Sequence, residues 1–555
     1  MEEKKKSGTL KKIIIIAILA VVIIAAVVIG ILLATGKLKL NFTDKSKMVA
    51  GVEKLGETLT DPLDRISDAA EKNGTKVKIL ENLKSDSAVE ASTEISANID
   101  ELSSPKFSSS NKSTIKTVTD IINDSKIGFN FRFDGNKSLY AKVEEKIDSA
   151  SVSGEAVYDG KQVGVRSEDL NSKWLTISSD DIDDIMKENG LKLDNAGDKL
   201  TEAINQAEKV TSSVNIDKKK RDKIEKRYQD VLKKYVSDKS KDIKKENAKV
   251  TVDGKEKSCS KLTLELDDED FKDLLKTYLK EFSKDEDIKQ ILTDVFDAYA
   301  EMMKEAGQEK VAKQMTASLS LVYDNIDSVI DQIDEIEFEG KVKLIVYATT
   351  TNTYRTDVIL ETNGTTIKLE TTFNKKTTVI NISIGAQGMN IKVGTITITS
   401  TDDTFGIKFE ANKALMDLAN LSGNEYYFDF KYKISKSKSE LTFEGKAGDY
   451  GYAKISTVTD ISTNTNSEYA DTTTLSIDID APEYVTAKMQ LTMKTNIKLG
   501  NVSIPSIKDS VDMTDEAELK EYQEEIQENA KDLLDKFSEV KSLKPILENV
   551  LDERM

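Results

Sequence analysis

The carboxylate clusters Asp180-Asp181-Ile182-Asp183-Asp184 and Asp267-Asp268-Glu269-Asp270 are the residues best placed to do chemistry, by holding calcium or by moving protons. A calcium loop needs D-x-[DN]-x-[DN]-G followed by a distal glutamate, and neither cluster has it. Each cluster instead follows a strand-like run and precedes apolar residues at helical spacing. Carboxylates there cap free N–H groups and face the positive end of the helix dipole. Capping is the preferred interpretation, and no metal site is expected. The basic stretch Lys218–Arg227 is a second candidate, for nucleic acid or lipid headgroups. Ile216, Ile224, Tyr228, Val231 and Tyr235 form the inner stripe of the same helical segment, so the basic stretch is expected to be the solvated face of an amphipathic helix.

What is missing narrows the chemistry further. The chain has no histidine and one cysteine, Cys259. Ser-His-Asp and Cys-His nucleophile systems are therefore excluded, as are Cys/His zinc sites and an intrachain disulfide. No G-x-S-x-G, P-loop or G-x-G-x-x-G motif occurs. Carboxylate chemistry, Ser/Lys pairs or an oxygen-ligand metal site is what remains for an enzyme, and an enzyme using carboxylates ranks third among the expected functions. No catalytic, cofactor-binding or metal-ligating residue is assigned, and no cofactor is expected. The net charge is −18, although the first twelve residues are rich in lysine. An acidic body argues against nucleic acid, which requires a basic footprint. Abundant Lys, Ile, Asn, Asp, Ser and Thr with only five prolines fit a low-GC, Gram-positive bacterium. The sole tryptophan, Trp174, falls at a strand end and is expected in a core.

These residues stand behind an uncharged apolar run, Ile13–Ala34, long enough to cross a bilayer, for which about 20 helical residues suffice. A cleavable signal core is shorter and ends in a small-x-small site, whereas Ala34-Thr35-Gly36-Lys37 is a poor one. An uncleaved signal anchor is therefore expected. Lys4, Lys5, Lys6, Lys11 and Lys12 outweigh the more dispersed Lys37, Lys39, Lys45 and Lys47, which places the N-terminus inside and the bulk extracytoplasmic. A reversed anchor is the alternative.

Met48, Val52, Leu55 and Leu59 predict a helix within 44–72, restarted at Asp61-Pro62. The serine-rich segment 101–115 is expected to be a loop, with strands beginning near Lys126. Phe129, Phe131 and Phe133 alternate up to Asp134-Gly135. Asp159-Gly160 and Asp253-Gly254 give further hairpin signals. Strand, acidic cap and helix recur at 173–189 and 261–282, a hint of duplication. From Asp334 to about Ile504 the period is two, which predicts long antiparallel strands with one apolar face, interrupted by a short helix at 411–419. A terminal helix from Thr514 carries Leu519, Tyr522, Ile526, Ala530, Leu533, Phe537 and Val540 on one face, until Pro545. Docking on the sheet is expected, with a partner coiled coil as the alternative.

The hairpins at Asp134-Gly135 and Asp159-Gly160, the Trp174 strand and the capped segment after it resemble the lipoprotein-carrier half-barrels of bacterial envelopes. The chain is also similar to signal-anchored surface proteins of clostridia. The carrier resemblance implies a curved sheet wrapped around a cavity for acyl chains. This sequence departs from it in lacking a lipid-attachment cysteine and in its length.

The expected fold is α+β: curved antiparallel β-sheets with packed helices, behind one N-terminal transmembrane helix. The expected segments are a cytoplasmic tail (1–12), the anchor (13–34), a helical juxtamembrane segment and loop (37–115), an α+β region (125–333), a long-stranded sheet (334–512) and the terminal helix (513–555). The expected function is non-enzymatic and membrane-tethered, with lipid or a lipidated partner held in an apolar half-barrel cavity. The alternative is a structural or protein-interaction module of the cell envelope.

Overall fold

The computed structural model describes residues 43–55, 75–178, 218–305, 325–333, 340–418 and 422–547, apart from isolated positions inside these ranges. The anchor Ile13–Ala34, the acidic cluster 180–184 and Pro545 lie outside the described residues. Among the described residues no helix is long and apolar enough to cross a membrane. The fold is α+β, with twenty strands among the described residues and helices packed beside them. The chain divides into two compact units, one of residues 1–68 and 206–427, the other of residues 69–205 and 428–555.

The second unit begins with β1 (Val89–Ser103), α1 (Ser109–Asp124) and β2 (Ser125–Phe133). Two expectations are corrected here. Strands begin at Val89, not near Lys126, and the serine-rich segment is mostly a strand end followed by a helix. Ser108 caps α1 by accepting from the Asn111 N–H, the service serine performs at helix starts. Asn123 of α1 then accepts from the Ile99 N–H at 2.6 Å and donates to its carbonyl at 3.1 Å. That contact sits at the bulge between Ile99 and Glu101.

Five strands follow: β3 (Leu139–Ile147), β4 (Ala150–Tyr158), β5 (Gln162–Ser167), β6 (Asn171–Ser178) and, in the other unit, β7 (Lys244–Val252). The first four hairpin onward from β2 in sequence order. Asp134 accepts from the N–H groups of Asn136, Lys137 and Ser138, and so shapes a five-residue loop rather than a two-residue turn. β7 pairs with β8 (Lys255–Leu266) across Asp253-Gly254, where both residues have positive φ, 50° and 71°. This is the type I′ geometry the dipeptide predicts.

In the first unit, α2 (Lys218–Asp238), α3 (Asp268–Ser283) and α4 (Glu286–Glu305) are followed by β9 (Gly340–Ala348), β10 (Thr353–Thr362), β11 (Thr365–Phe373), β12 (Thr377–Ala386), β13 (Met389–Ser400), β14 (Thr404–Ala411) and α5 (Lys413–Leu418). Strands β7 to β14 form one antiparallel run in sequence order, and α5 lies inside the expected interruption. The core of this unit is built on β8 and β9. Leu262, Leu264, Leu266, Val342 and Val346 are buried with Met48, Val49 and Tyr235, and Phe271, Leu274 and Tyr278 of α3 pack against them. Residues 46–51 come so close that a Cβ on Gly51 would sit 2.4 Å from Val346, so only glycine fits.

The second unit resumes with β15 (Tyr426–Ser435), β16 (Lys438–Ala447), β17 (Tyr452–Asn464), β18 (Glu468–Ala481), β19 (Val485–Leu499), β20 (Ser510–Asp512) and α6 (Glu516–Ser538). Strands β16 to β19 pair in order, and β19 closes onto β1 along almost its whole length. The sheet therefore runs β16–β17–β18–β19–β1–β2–β3–β4–β5–β6. β20 adds to β6 in parallel, Val511 beside Leu175. The alternation predicted for 334–504 is found in β9 to β19. The predicted terminal helix is α6, capped by Asp515 and ending at Ser538.

Candidate functional site

Because successive strand residues point to opposite faces, the register of the second unit sorts its side chains into two sets. One row reads Ala91, Phe131, Ala141, Ala156, Val165 and Leu175 across β1 to β6. A second reads Ile99, Met489, Ile477, Ile455 and Phe443 across β1 and β19 to β16. Between them, Ile95 opposes both Ile127 and Met493, and Phe129 opposes Val143. The opposite face carries ion pairs around β1. Glu90 pairs with Arg132 at 3.0 Å, and Glu94 with Lys494 at 2.9 Å.

Among the described residues the cover over the apolar face lies at its margins, and α1 also packs on β1 and β3. At one end Ile79 packs on Ile461 and Tyr469. At another, α6 crosses β3 to β6, with Tyr522 buried near Leu175 and Val540 buried against Ile147 and Ala150. Every residue of the predicted α6 stripe is buried or half-buried, so the helix docks within its own unit. Polar contacts fix its middle. Glu525 accepts from Lys173 at 2.9 Å and Asn171 at 2.8 Å, and Asn529 donates to the Leu170 carbonyl at 2.7 Å. The Lys173 hydrogen bond, then that from Asn171, holds the Glu525 carboxyl below its ordinary range.

Between these margins the face is open. Phe129, Val143, Ile455 and Leu491 keep 44, 47, 43 and 41 % of their surface exposed. Ile127, Val165, Phe443 and Met493 are also exposed. Large apolar patches of this kind mark binding surfaces on soluble folds. Beneath α6 lies a groove of about 460 Å³, floored by Ala141, Val143, Gly154, Ala156, Val165 and Leu175 and walled by Tyr522 and Ile526. That volume falls within the usual range of small-molecule sites.

The residues singled out in the sequence take structural roles. Asp267 caps α3, accepting from the Asp270 N–H at 2.9 Å. Among the described residues no group of three or more Asp, Glu or Cys is arranged to hold a metal ion. Lys223 and Arg227 of the basic stretch pair with Asp287, and Arg227 also with the fully buried carboxylate of Asp285, while Ile224 and Tyr228 are buried beneath them. Burial pushes the Cys259 thiol up, away from reactivity. Trp174 is buried with Tyr140, Val157, Ile504 and Ile507, on the face opposite the groove, with the Arg166 guanidinium 4.3 Å from its ring centroid. The groove itself was not anticipated residue by residue, since its walls come from segments more than 340 positions apart.

No family model and no curated protein matches this chain. Among solved structures, a crystal structure of Pseudomonas aeruginosa OccK5 (OpdH) aligns over 75 % of this chain and 98 % of that one, at 4 % identity and a TM-score of 0.10. A likeness that low carries no argument about fold or function.

Proposed function

We propose that this is a membrane-anchored, extracytoplasmic, non-enzymatic protein whose second unit binds lipid acyl chains on its open apolar face, in the manner of a half-barrel. The half-exposed row of Ile127, Phe129, Val143, Leu491 and Ile455 carries the proposal. Exposing such residues to water opposes folding, at about 25 cal/mol per Å² of apolar surface, and an apolar ligand relieves that. Ile13–Ala34, acting as an anchor, would hold this face near its source of lipid. The absence of histidine, and carboxylates engaged in caps and ion pairs, favour binding over catalysis.

Delipidated full-length protein, reloaded with palmitic acid at about 100 times its Kd, is expected to gain about 2.7 kcal/mol of stability. Identical melting temperatures for the delipidated and loaded forms would count against lipid and favour an envelope interaction module.

A further inference from the structure

We infer that the groove beneath α6 takes a single unbranched alkyl chain of an amphiphile, with the carboxyl or ester end of that chain at Ser167. The inference rests on the lipid-binding reading and deepens it. The floor is a track of small residues: Ala141 pairs directly with Ala156, and Gly154 pairs with Val143. A Cβ added at Gly154 would meet nothing within 4 Å, so there is space above the track. Val143, Val165 and Leu175 bound it, and Tyr522 and Ile526 roof it. The small floor residues leave room beside the helix, and an unbranched chain can lie along that track. At its edge Ser167 Oγ is buried and has no hydrogen-bond partner. A buried hydroxyl in that state opposes folding unless a partner arrives. A carboxyl or ester oxygen would be such a partner, and an alkane would not.

The direct test is photo-crosslinking of the full-length protein in nanodiscs of unlabelled phosphatidylcholine, with palmitic acid carrying a diazirine on its chain. Adducts are expected on residues 139–167 and 516–538. Ala156→Phe, which fills the track, should lower them about tenfold. Ser167→Ala should lower them about fivefold, with adducts elsewhere unchanged. The wild-type map stands on its own if Ala156→Phe fails to fold. A second arm uses phosphatidylcholine with a diazirine-bearing chain. Groove adducts from this arm alone would assign the chain to bilayer lipid and still support the inference. Adducts confined to residues 125–133 and 485–499 would overturn the groove while leaving the open-face reading intact. No adducts anywhere in the folded residues would overturn both.

Discussion

In the first unit Leu262, Leu264 and Val346 keep at most 1 % of their surface, whereas in the second Phe129 and Val143 keep 44 and 47 %. Both sheets alternate apolar and polar residues with period two, so the strands alone do not explain the contrast. The difference lies in what is laid over them. The first unit sets α3 and residues 46–51 directly on β8 and β9, with Gly51 giving up its side chain so that Val346 can be sealed. Among the described residues the second lays α6 across β3 to β6, over three small floor residues, and leaves Phe129, Val143, Ile455 and Leu491 exposed. A sheet that seals its apolar face gains stability from burial. One that leaves a band open forgoes part of that gain, which is the observation behind the proposed lipid binding.

The largest expected effect follows from this contrast. Leu264→Ala should destabilise the protein by about 2–5 kcal/mol, the range for a large side chain deleted from a close-packed core. Phe129→Ser should fall within about 0.5 kcal/mol of wild type, as a surface change does. Equal losses in chemical denaturation would erase the distinction between the two faces. Removal of the chain after Met513 comes next. It strips away Tyr522, Phe537 and Val540, each worth up to about 1.5–3 kcal/mol when fully buried, and uncovers Ile147 and Ala150. The melting temperature should drop and binding of an apolar dye should rise. An unchanged melt, with dimers formed only through this segment, would make α6 a partner-binding coiled coil.

Two smaller effects are read from pH. Burial, helped by Asp471, pushes the Tyr469 phenol up to about 12 from 10.0. The folded state thus holds this proton more tightly than the unfolded state does. The stability it contributes is complete below pH 10 and is lost as pH rises toward about 12. Tyr469→Phe should remove that part of the alkaline loss. Glu525 has the opposite sign. Its lowered pKa contributes stability above its ordinary value of 4.5, lost as pH falls through the folded value. Glu525→Gln should flatten this acid limb. The effect is the smallest of the set, because the pair with Lys173 is exposed to solvent.

Much of the fold was legible because its signals are local. Ile380, Ile382 and Ile384 announce a strand with one apolar face, and Asp253-Gly254 announces the turn it forms. The stripe from Leu519 to Val540 was enough to predict that α6 docks on its own sheet. Strand β1 was missed because its inner positions, Val89, Ala91, Thr93, Ile95, Ala97 and Ile99, are too weakly apolar to stand out. Its place comes from the long pairing with β19, about 400 residues away. The serine-rich segment hid a helix because Ser108 serves as its cap and only Ile115, Ile121 and Ile122 offer an inner side. The groove had no local signal, since Ala141, Gly154 and Ala156 become a floor only when Tyr522 and Ile526 arrive over them.

The most direct measurement of the central claim is native mass spectrometry of the full-length protein as first purified from its membrane. Lipid binding by the second unit predicts a species heavier than the bare polypeptide by the mass of one or more acyl lipids. The double variant Phe129→Asp with Leu491→Asp should lose that added mass, while Leu264→Ala keeps it. Bare polypeptide alone, or lipid retained equally by the double variant, would contradict it.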